Sequence, residues 1–452
     1  MRKEKVCWAF SLLIVTTLIL AGASLVPHVF AQSDQPVQIH LTWDQNDTAH
    51  TIVVTWQTKT AGTGDVVRYD IKSGSGNPSN YESSQTGTNH TYSTVDGYIH
   101  DVRLTGLSPN TVYYFICGGD NGGWSGEHSF RTAPDSSVSF RFVAGGDSRS
   151  GGGDWPAGRD SVSREMAKFN PSFVLYVGDF IRQANYQPEW DNWFAAEQLY
   201  WVDNNNLTIP IIPSIGNHEL FGDSAGVAYF GQFSLPTFPA DEKWYSLDWG
   251  PSLHITILDT ETAVPGDQTT WLKQDLAEHE NTLWKVVLFH EPPFSDGPDG
   301  YNNAVRRYWV PLFDNYHVDL VISGHNHLYE RTYPINYTVS ENTPVPSPEN
   351  GTIYVVSGAW GAPLYTGNPS WFAAVGPISK FSFTVVDILD NGMLHLTAVD
   401  TDGNVLDDFS IQKTIPEVNK PTSTLPFVIA GVVVIVAFVV IAIYVLKVSR
   451  KS

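Results

Sequence analysis

The sequence predicts a small β-sandwich followed by a layered α/β domain, with an apolar helix near the C-terminus. Three observations lead there. Short alternating strands with turn residues between them run as far as Pro134, strand and helix patterns then alternate, and a charge-free run of about 20 residues, Phe427 to Leu446, lies near the end. At 452 residues the chain is long enough for more than one domain, and 42% hydrophobic with 13% aromatic residues can fill their cores, which excludes disorder for most of it.

Met1 to Lys5 is basic, Val6 to Leu20 is apolar, and Val29-Phe30-Ala31 ends in a small residue before Gln32. That layout predicts a secretory signal peptide over residues 1–31. The alternative is an uncleaved anchor, for which the apolar core is short.

From Pro36 to about Pro134 come Gln38-Ile39-His40-Leu41-Thr42-Trp43, Thr51-Ile52-Val53-Val54-Thr55-Trp56 and Val66-Val67-Arg68-Tyr69, each of strand period. The stretch Leu104-Thr105-Gly106-Leu107-Ser108-Pro109-Asn110-Thr111-Val112-Tyr113-Tyr114-Phe115 resembles the turn-and-strand signature of fibronectin type III domains, so residues 36–134 are expected to form a fibronectin type III-like sandwich. No cluster of catalytic residue types occurs in it. It reads as a scaffold or a substrate-positioning module.

Beyond Thr132-Ala133-Pro134, strands are expected at Phe140 to Ala144, Phe173 to Val177, Ile209 to Pro213, Leu253 to Asp259, Trp284 to Phe289, Val318 to Ile322 and Thr352 to Val356. Helical patterns fall between them at Ser161 to Phe169, Glu189 to Tyr200, Gln268 to Glu280 and Asn302 to Tyr316. This alternation argues for an α/β domain over 139–412. The run Ser379 to Ile411, punctuated by Asn391-Gly392 and Asp402-Gly403, reads as consecutive hairpins closing it.

Residues 413–425 then form a polar, proline-bearing linker. Residues 426–446 are long enough to cross a hydrocarbon core of ~30 Å as a helix, and Lys447, Arg450 and Lys451 in the tail 447–452 place that tail in the cytoplasm by the positive-inside rule. The expectation is a single-pass cell-membrane protein, anchored by its C-terminal helix, with the catalytic domain outside; a buried soluble helix is the weaker alternative, because the run has no polar face. Cys117 is the one cysteine outside the signal peptide, so no intrachain disulfide forms. Asn46, Asn89, Asn206, Asn336 and Asn350 begin sequons, as expected of a glycoprotein. The formal net charge of −21 repels polyanions and argues against a nucleic-acid partner. Oligomeric state is not readable from these residues.

The chemistry lies in polar clusters that follow five of the expected strands. These are Gly146-Asp147-Ser148-Arg149, Gly178-Asp179-Phe180, Gly216-Asn217-His218-Glu219, His290-Glu291-Pro292 and Gly324-His325-Asn326-His327. Sites in α/β sheets form beyond the carboxyl ends of strands, so the five would converge on one crevice. Each alone has an ordinary structural explanation: a Gly-Asp turn, a capping asparagine, a core histidine. Two histidines one residue apart after Gly324 already suggest a metal-binding loop, and hard oxygens with imidazoles and no thiolate suit first-row ions.

The order Gly-Asp, Gly-Asp, Gly-Asn-His-Glu, Val-x-x-His (Val287 to His290) and Gly-His-x-His resembles the calcineurin-like metallophosphoesterases. The continuation His325 to Arg331, Gly-His-Asn-His-Leu-Tyr-Glu-Arg with its glycine, and the sandwich in front are most similar to the purple acid phosphatases. The resemblance implies a four-layer α/β metallophosphoesterase domain holding two divalent or trivalent ions, Fe, Mn or Zn. It implies Asp147 and His327 as ligands of one ion, Asn217, His290 and His325 as ligands of the other, and Asp179 bridging both. Two such ions ~3.5 to 4 Å apart clamp a phosphoryl group and convert a bound water to hydroxide, the nucleophile. His218 is then expected to lie over the phosphate as hydrogen-bond donor or general acid, or else to orient Asn217; Glu219 is expected to support a ligand.

Two departures matter. Purple enzymes carry Gly-Asp-x-x-Tyr, but Arg182 stands at the tyrosine position, and Arg149 stands where other metallophosphoesterases supply a histidine. The first ion is left with three assigned protein ligands, so a colourless enzyme with a labile first metal is expected. Arg149 and Arg182 would either fork onto substrate phosphate oxygens as catalytic residues or pair with local carboxylates such as Asp154. Residues 295–301, Ser-Asp-Gly-Pro-Asp-Gly-Tyr, lack the histidine pair of plant relatives. Arg306 and Arg307 read as surface or packing residues.

The function expected is a cell-surface phosphatase of small phosphate monoesters. A phosphodiesterase or nucleotide pyrophosphatase of the same superfamily is the first alternative, and a surface adhesion protein with an inactive phosphatase-like domain the second.

Overall fold

A computed structural model describes residues 34–149 and 157–415. The expected signal peptide, most of the linker, the expected membrane span and the tail lie outside the described residues. Among the described residues no helix is long and apolar enough to cross a membrane. The longest, Gln187–Tyr200, has 14 residues, rises only ~21 Å and carries Glu189, Asp191 and Glu197. The fold class is corrected accordingly to the two domains, with no membrane-crossing helix among the described residues, and the expected single-pass placement in a cell membrane is withdrawn with it.

The first domain is a sandwich of two antiparallel sheets. One has the order Val37–Thr42, Ile52–Thr58, Tyr98–Leu104, Thr88–His90; the other has Ser83–Thr86, Val66–Asp70, Val112–Gly119, Gly123–Trp124, with His128–Arg131 also paired to Val112–Gly119. Trp56, Val102, Phe115 and Phe130 fill the space between, and Cys117 is buried there as a free thiol, its pKa pushed up to about 12 by burial.

The second domain has two facing mixed sheets. In the first, Ile211–Pro213, Val174–Tyr176 and Phe140–Gly145 run parallel, and the hairpin strands Ser382–Ile388, Met393–Asp400 and Val405–Gln412 continue it antiparallel. In the second, Leu253–Ile257, Trp284–Leu288, Leu320–Ser323 and Ile353–Ser357 are parallel. Ser357 joins the two sheets: its Oγ donates to Ala144 O (3.2 Å) and accepts from Thr384 Oγ1 (3.0 Å). Helices Ala157–Ala167 and Gln187–Tyr200 lie against the first sheet. Asp267–Glu278 and Val310–Tyr316 cover the second, where Leu272, Leu276 and Phe313 pack with Val287, Phe289 and Val321. The layering is therefore α-β-β-α.

Sequence and structure differ in places. The helix expected over Asn302 to Tyr316 is two helices, Asn303–Tyr308 and Val310–Tyr316, because Pro311 has no N–H to continue the ladder. Asn302 caps the first by accepting from Ala304 N and Val305 N. Strands Tyr245–Trp249, Tyr329–Thr332 and Ala373–Ile378 were not expected. Tyr329–Thr332 is fully buried despite Glu330 and Arg331, since Arg331 forks onto Asp407 (2.5 and 3.0 Å), which also accepts from Tyr329 OH (2.7 Å).

The sandwich braces the second domain at Gln187–Tyr200. Gln38 donates to Asp191 (2.9 Å), Tyr92 OH to Gln187 (2.7 Å), and His40 stacks on Phe194 with ring centroids 4.5 Å apart. At the other edge the exposed sequon residue Asn46 pairs both ways with Asp248 (2.9 and 2.6 Å), so its side-chain amide is engaged with the second domain.

Candidate metal centre

The five clusters expected to converge do so. Asp147 follows Phe140–Gly145, Asp179 follows Val174–Tyr176, Asn217 opens the short helix Asn217–Leu220 beyond Ile211–Pro213, His290 follows Trp284–Leu288, and His325 and His327 follow Leu320–Ser323. Glycine is required where backbone meets carboxylate: a Cβ on Gly324 would stand 2.3 Å from Asp147 Oδ2, and one on Gly216 2.5 Å from Asp179 Oδ1. Asp147, Asp179 and His325 themselves adopt left-handed backbone, with φ of 60°, 57° and 67°.

Four donor atoms gather at one point. Asn217 Oδ1 lies 3.0 Å from His290 Nε2 and 3.1 Å from His325 Nδ1, which is 3.3 Å from His290 Nε2; Asp179 Oδ1 is also 3.3 Å from His290 Nε2. His290 Nδ1–H donates to Val177 O (2.7 Å), so its neutral ring turns a lone pair toward two oxygens that can only accept. Burial holds that ring neutral, lowering its pKa to about 4 against the pull of Asp179. One proton on His325 Nδ1 serves only one of these contacts. Ligands ~2.0–2.2 Å from a common ion stand roughly 3.0–3.4 Å apart, so the separations fit a cation.

Asp147, Asp179 and His327 form an adjoining group whose donor atoms lie within 4.8 Å of one another. His327 Nδ1–H donates to Pro363 O (2.8 Å), and its Nε2 is 3.6 Å from Asp147 Oδ1. Arg149 stands here too: its Nε donates to Asp179 Oδ2 (3.1 Å) and its Nη2 to His327 Nε2 (3.2 Å). Burial and this guanidinium push His327 down to about 3. Burial and the neighbouring Asp179 raise the Asp147 carboxyl well above its usual range. Burial also acts to raise Asp179, but His290, His218 and Arg149 overcome it and hold it below.

His218 Nδ1–H donates to Arg182 O (2.6 Å), which aims Nε2 at Asp179 Oδ2, 3.8 Å away. The Arg182 guanidinium is 47% exposed and sits 3.4 Å from Glu189, whose other oxygen accepts from Arg182 N and Gln183 N. Glu219, fully buried, accepts from Asp179 N (2.8 Å), Phe180 N (2.9 Å) and Gly216 N (2.9 Å), pinning the loop that presents Asp179. The expected acceptor of the arginines, Asp154, lies outside the described residues.

A sixth loop escaped the sequence reading. Beyond Ile353–Ser357, Trp360 N and Ala362 N donate to Gly146 O and Asp147 O, Pro363 O orients His327, and the Tyr365 ring stacks on His327 at 4.1 Å. Its signal was Ser357-Gly358, the same strand-then-glycine junction as the others. A second group of metal-ligating residues, Asp248, His254 and His279, is self-saturated: His254 bonds Asp248 (2.8 Å) through Nδ1 and Asp275 (3.0 Å) through Nε2.

Both domains match known protein families. The family described as purple acid phosphatase, N-terminal domain, matches residues 36–132, and calcineurin-like phosphoesterase matches 152–329. Purple acid phosphatase 22 of Arabidopsis thaliana is 30% identical over 68% of this chain and 70% of its own length. Acid phosphatase type 7 of Mus musculus is 28% identical over 86% of this chain and 92% of its own. The solved structure of a purple acid phosphatase isolated from yellow lupin (Lupinus luteus) seeds is similar with a TM-score of 0.72 and 25% identity, covering 84% of this chain and 75% of that one. The chain belongs to the purple acid phosphatase family of metal-dependent phosphoric ester hydrolases.

Proposed function

We propose that this chain hydrolyses small phosphate monoesters at a dinuclear metal centre, the kind of centre its family uses. The observation that carries the reading is the gathering of Asn217 Oδ1, His290 Nε2, His325 Nδ1 and Asp179 Oδ1, four donor atoms whose contacts one proton cannot satisfy. In this reading Asn217, His290 and His325 hold one ion, Asp147 and His327 the other, and Asp179 reaches both. When bound, the two ions supply Lewis acidity at the phosphoryl oxygens and an activated water as nucleophile.

The chain's own residues do the rest. Val177 O and Pro363 O fix the His290 and His327 tautomers, so that Nε2 of each faces the site. Arg182 O holds the His218 ring in the same way with Nε2 toward the site, and in the imidazolium form that nitrogen would give its proton to the leaving oxygen. Arg149 spends Nε–H on Asp179 and one Nη2–H on His327, which leaves the Nη1 edge of its guanidinium for a phosphate oxygen. Arg182, 47% exposed and 3.4 Å from Glu189, is the second arginine in reach of a phosphate beside His218.

The test is phosphate release from p-nitrophenyl phosphate against nitrophenol release from its bis ester, on protein whose metal content is measured, with Mn²⁺ added. Faster turnover of the monoester is expected. Faster turnover of the bis ester overturns the monoester preference and favours a phosphodiesterase. Failure to bind any metal overturns the enzymatic reading.

A further inference from the structure

We propose that Arg149 is an internal cation standing at the first metal position, so that the two ions bind in a set order and with unequal affinity. This rests on the two-ion reading above. The two halves of the centre differ in one respect. Around Asn217, His290 and His325 the donor atoms face one another, and among the described residues no Lys or Arg side chain is bonded to them. Around Asp147, Asp179 and His327 a guanidinium already makes the contacts an ion would make.

Arg149 Nε takes Asp179 Oδ2 at 3.1 Å and Nη2 takes the His327 lone pair at 3.2 Å. His327 cannot turn that lone pair elsewhere: Nδ1–H is committed to Pro363 O, and the ring is held against Tyr365. The Arg149 backbone N–H donates to Asp179 O (3.2 Å), so the residue is anchored to the same loop, and its side chain is only 16% exposed. Asp147 and Asp179 are two carboxylates at most 1% exposed, and one positive charge beside them relieves a repulsion that would otherwise oppose folding without metal. An ion entering this half must displace two charge-assisted hydrogen bonds. An ion entering the other half displaces no cationic side chain. Asn217, His290 and His325 should therefore fill first, and the Asp147 and His327 position only at higher metal concentration.

The experiment is a titration of chelator-stripped full-length protein with Mn²⁺, reading bound metal per chain by equilibrium dialysis and elemental analysis. The wild type is expected to take up one ion, then a second at least about tenfold more weakly. Arg149→Ala and Arg149→His should each tighten the weaker step by about tenfold or more, and change the tighter step by less than about threefold. Two ions of equal affinity in the wild type overturn the inference and leave the two-ion reading standing; so does a weaker step unmoved by both substitutions. A wild type that binds no ion overturns both. If Arg149→Ala fails to fold, Arg149→His and the wild-type affinity ratio decide.

Discussion

Glu219→Gln replaces a buried carboxylate by an amide of the same shape, and its effect can be worked from three distances. Oε2 accepts from Asp179 N at 2.8 Å and Gly216 N at 2.9 Å, and Oε1 accepts from Phe180 N at 2.9 Å. The amide oxygen keeps the pair by taking the Oε2 place, which sets its NH₂ against the Phe180 N–H. One buried donor left unpaired costs about 1–3 kcal/mol, and the two surviving bonds lose their charge assistance, about 1 kcal/mol together. Burial and the Asp179 charge push the Glu219 carboxyl well up, so removing its charge returns part of this. The net expectation is a destabilisation of roughly 2–3 kcal/mol, a fall of roughly 4–8 °C in Tm for a domain of this size. Because the loosened loop carries Asp179, Mn²⁺ affinity should fall about 10- to 100-fold. Thermal melts without metal and a Mn²⁺ titration measure the two effects separately. A variant within about 0.5 kcal/mol of wild type and within twofold in affinity would refute the account of Glu219 as the anchor of this loop.

Three further outcomes are expected. His218→Asn should slow hydrolysis of an alkyl phosphate by about 10²- to 10⁴-fold but that of p-nitrophenyl phosphate much less, since a nitrophenolate leaves without a proton; equal losses on both substrates exclude the proton-donor role. Asp407→Asn strips the buried Arg331 of its counter-charge and should cost about 3–5 kcal/mol in denaturant unfolding, with a loss under 1 kcal/mol counting against that pairing. His279 is raised to about 9, chiefly by the Asp248 carboxylate 3.7 Å from its Nε2, with the Asp275 carboxylate and the stacked His254 as its other charged neighbours. A raised histidine stabilises fully below its unfolded value near 6.5 and loses that contribution as pH rises through about 9, at most ~3 kcal/mol. Tm should therefore fall between pH 7 and 9.5, and His279→Gln should flatten that fall.

The residues proposed to hold the ions were legible because their types are constrained: carboxylate, amide and imidazole after glycine at successive strand ends have few other uses. Pro363 and Tyr365 were not, since one contributes a backbone carbonyl and the other a ring face, and neither betrays its role by residue type. Arg149 was visible as a departure, but its partners lie 30 and 178 residues away, so whether it met substrate, carboxylate or ligand was set only by the packing of the loops. The same holds for Tyr329–Thr332. Charged residues inside a short segment argue against a buried strand until Asp407 on a distant hairpin is known to face Arg331.

The left-handed backbone at Asp147, Asp179 and His325 places catalysis and folding in opposition. Each position would be relaxed by glycine, and holding a side chain there costs about 1–3 kcal/mol. Two of the three side chains are also carboxylates buried beside each other. Without metal, the backbone strain at these three positions is offset only by local hydrogen bonds, such as those from His325 N to Asp147 and from His218 N to Asp179. For the working enzyme, the supply of metal ions sets its persistence in the folded state as well as its rate.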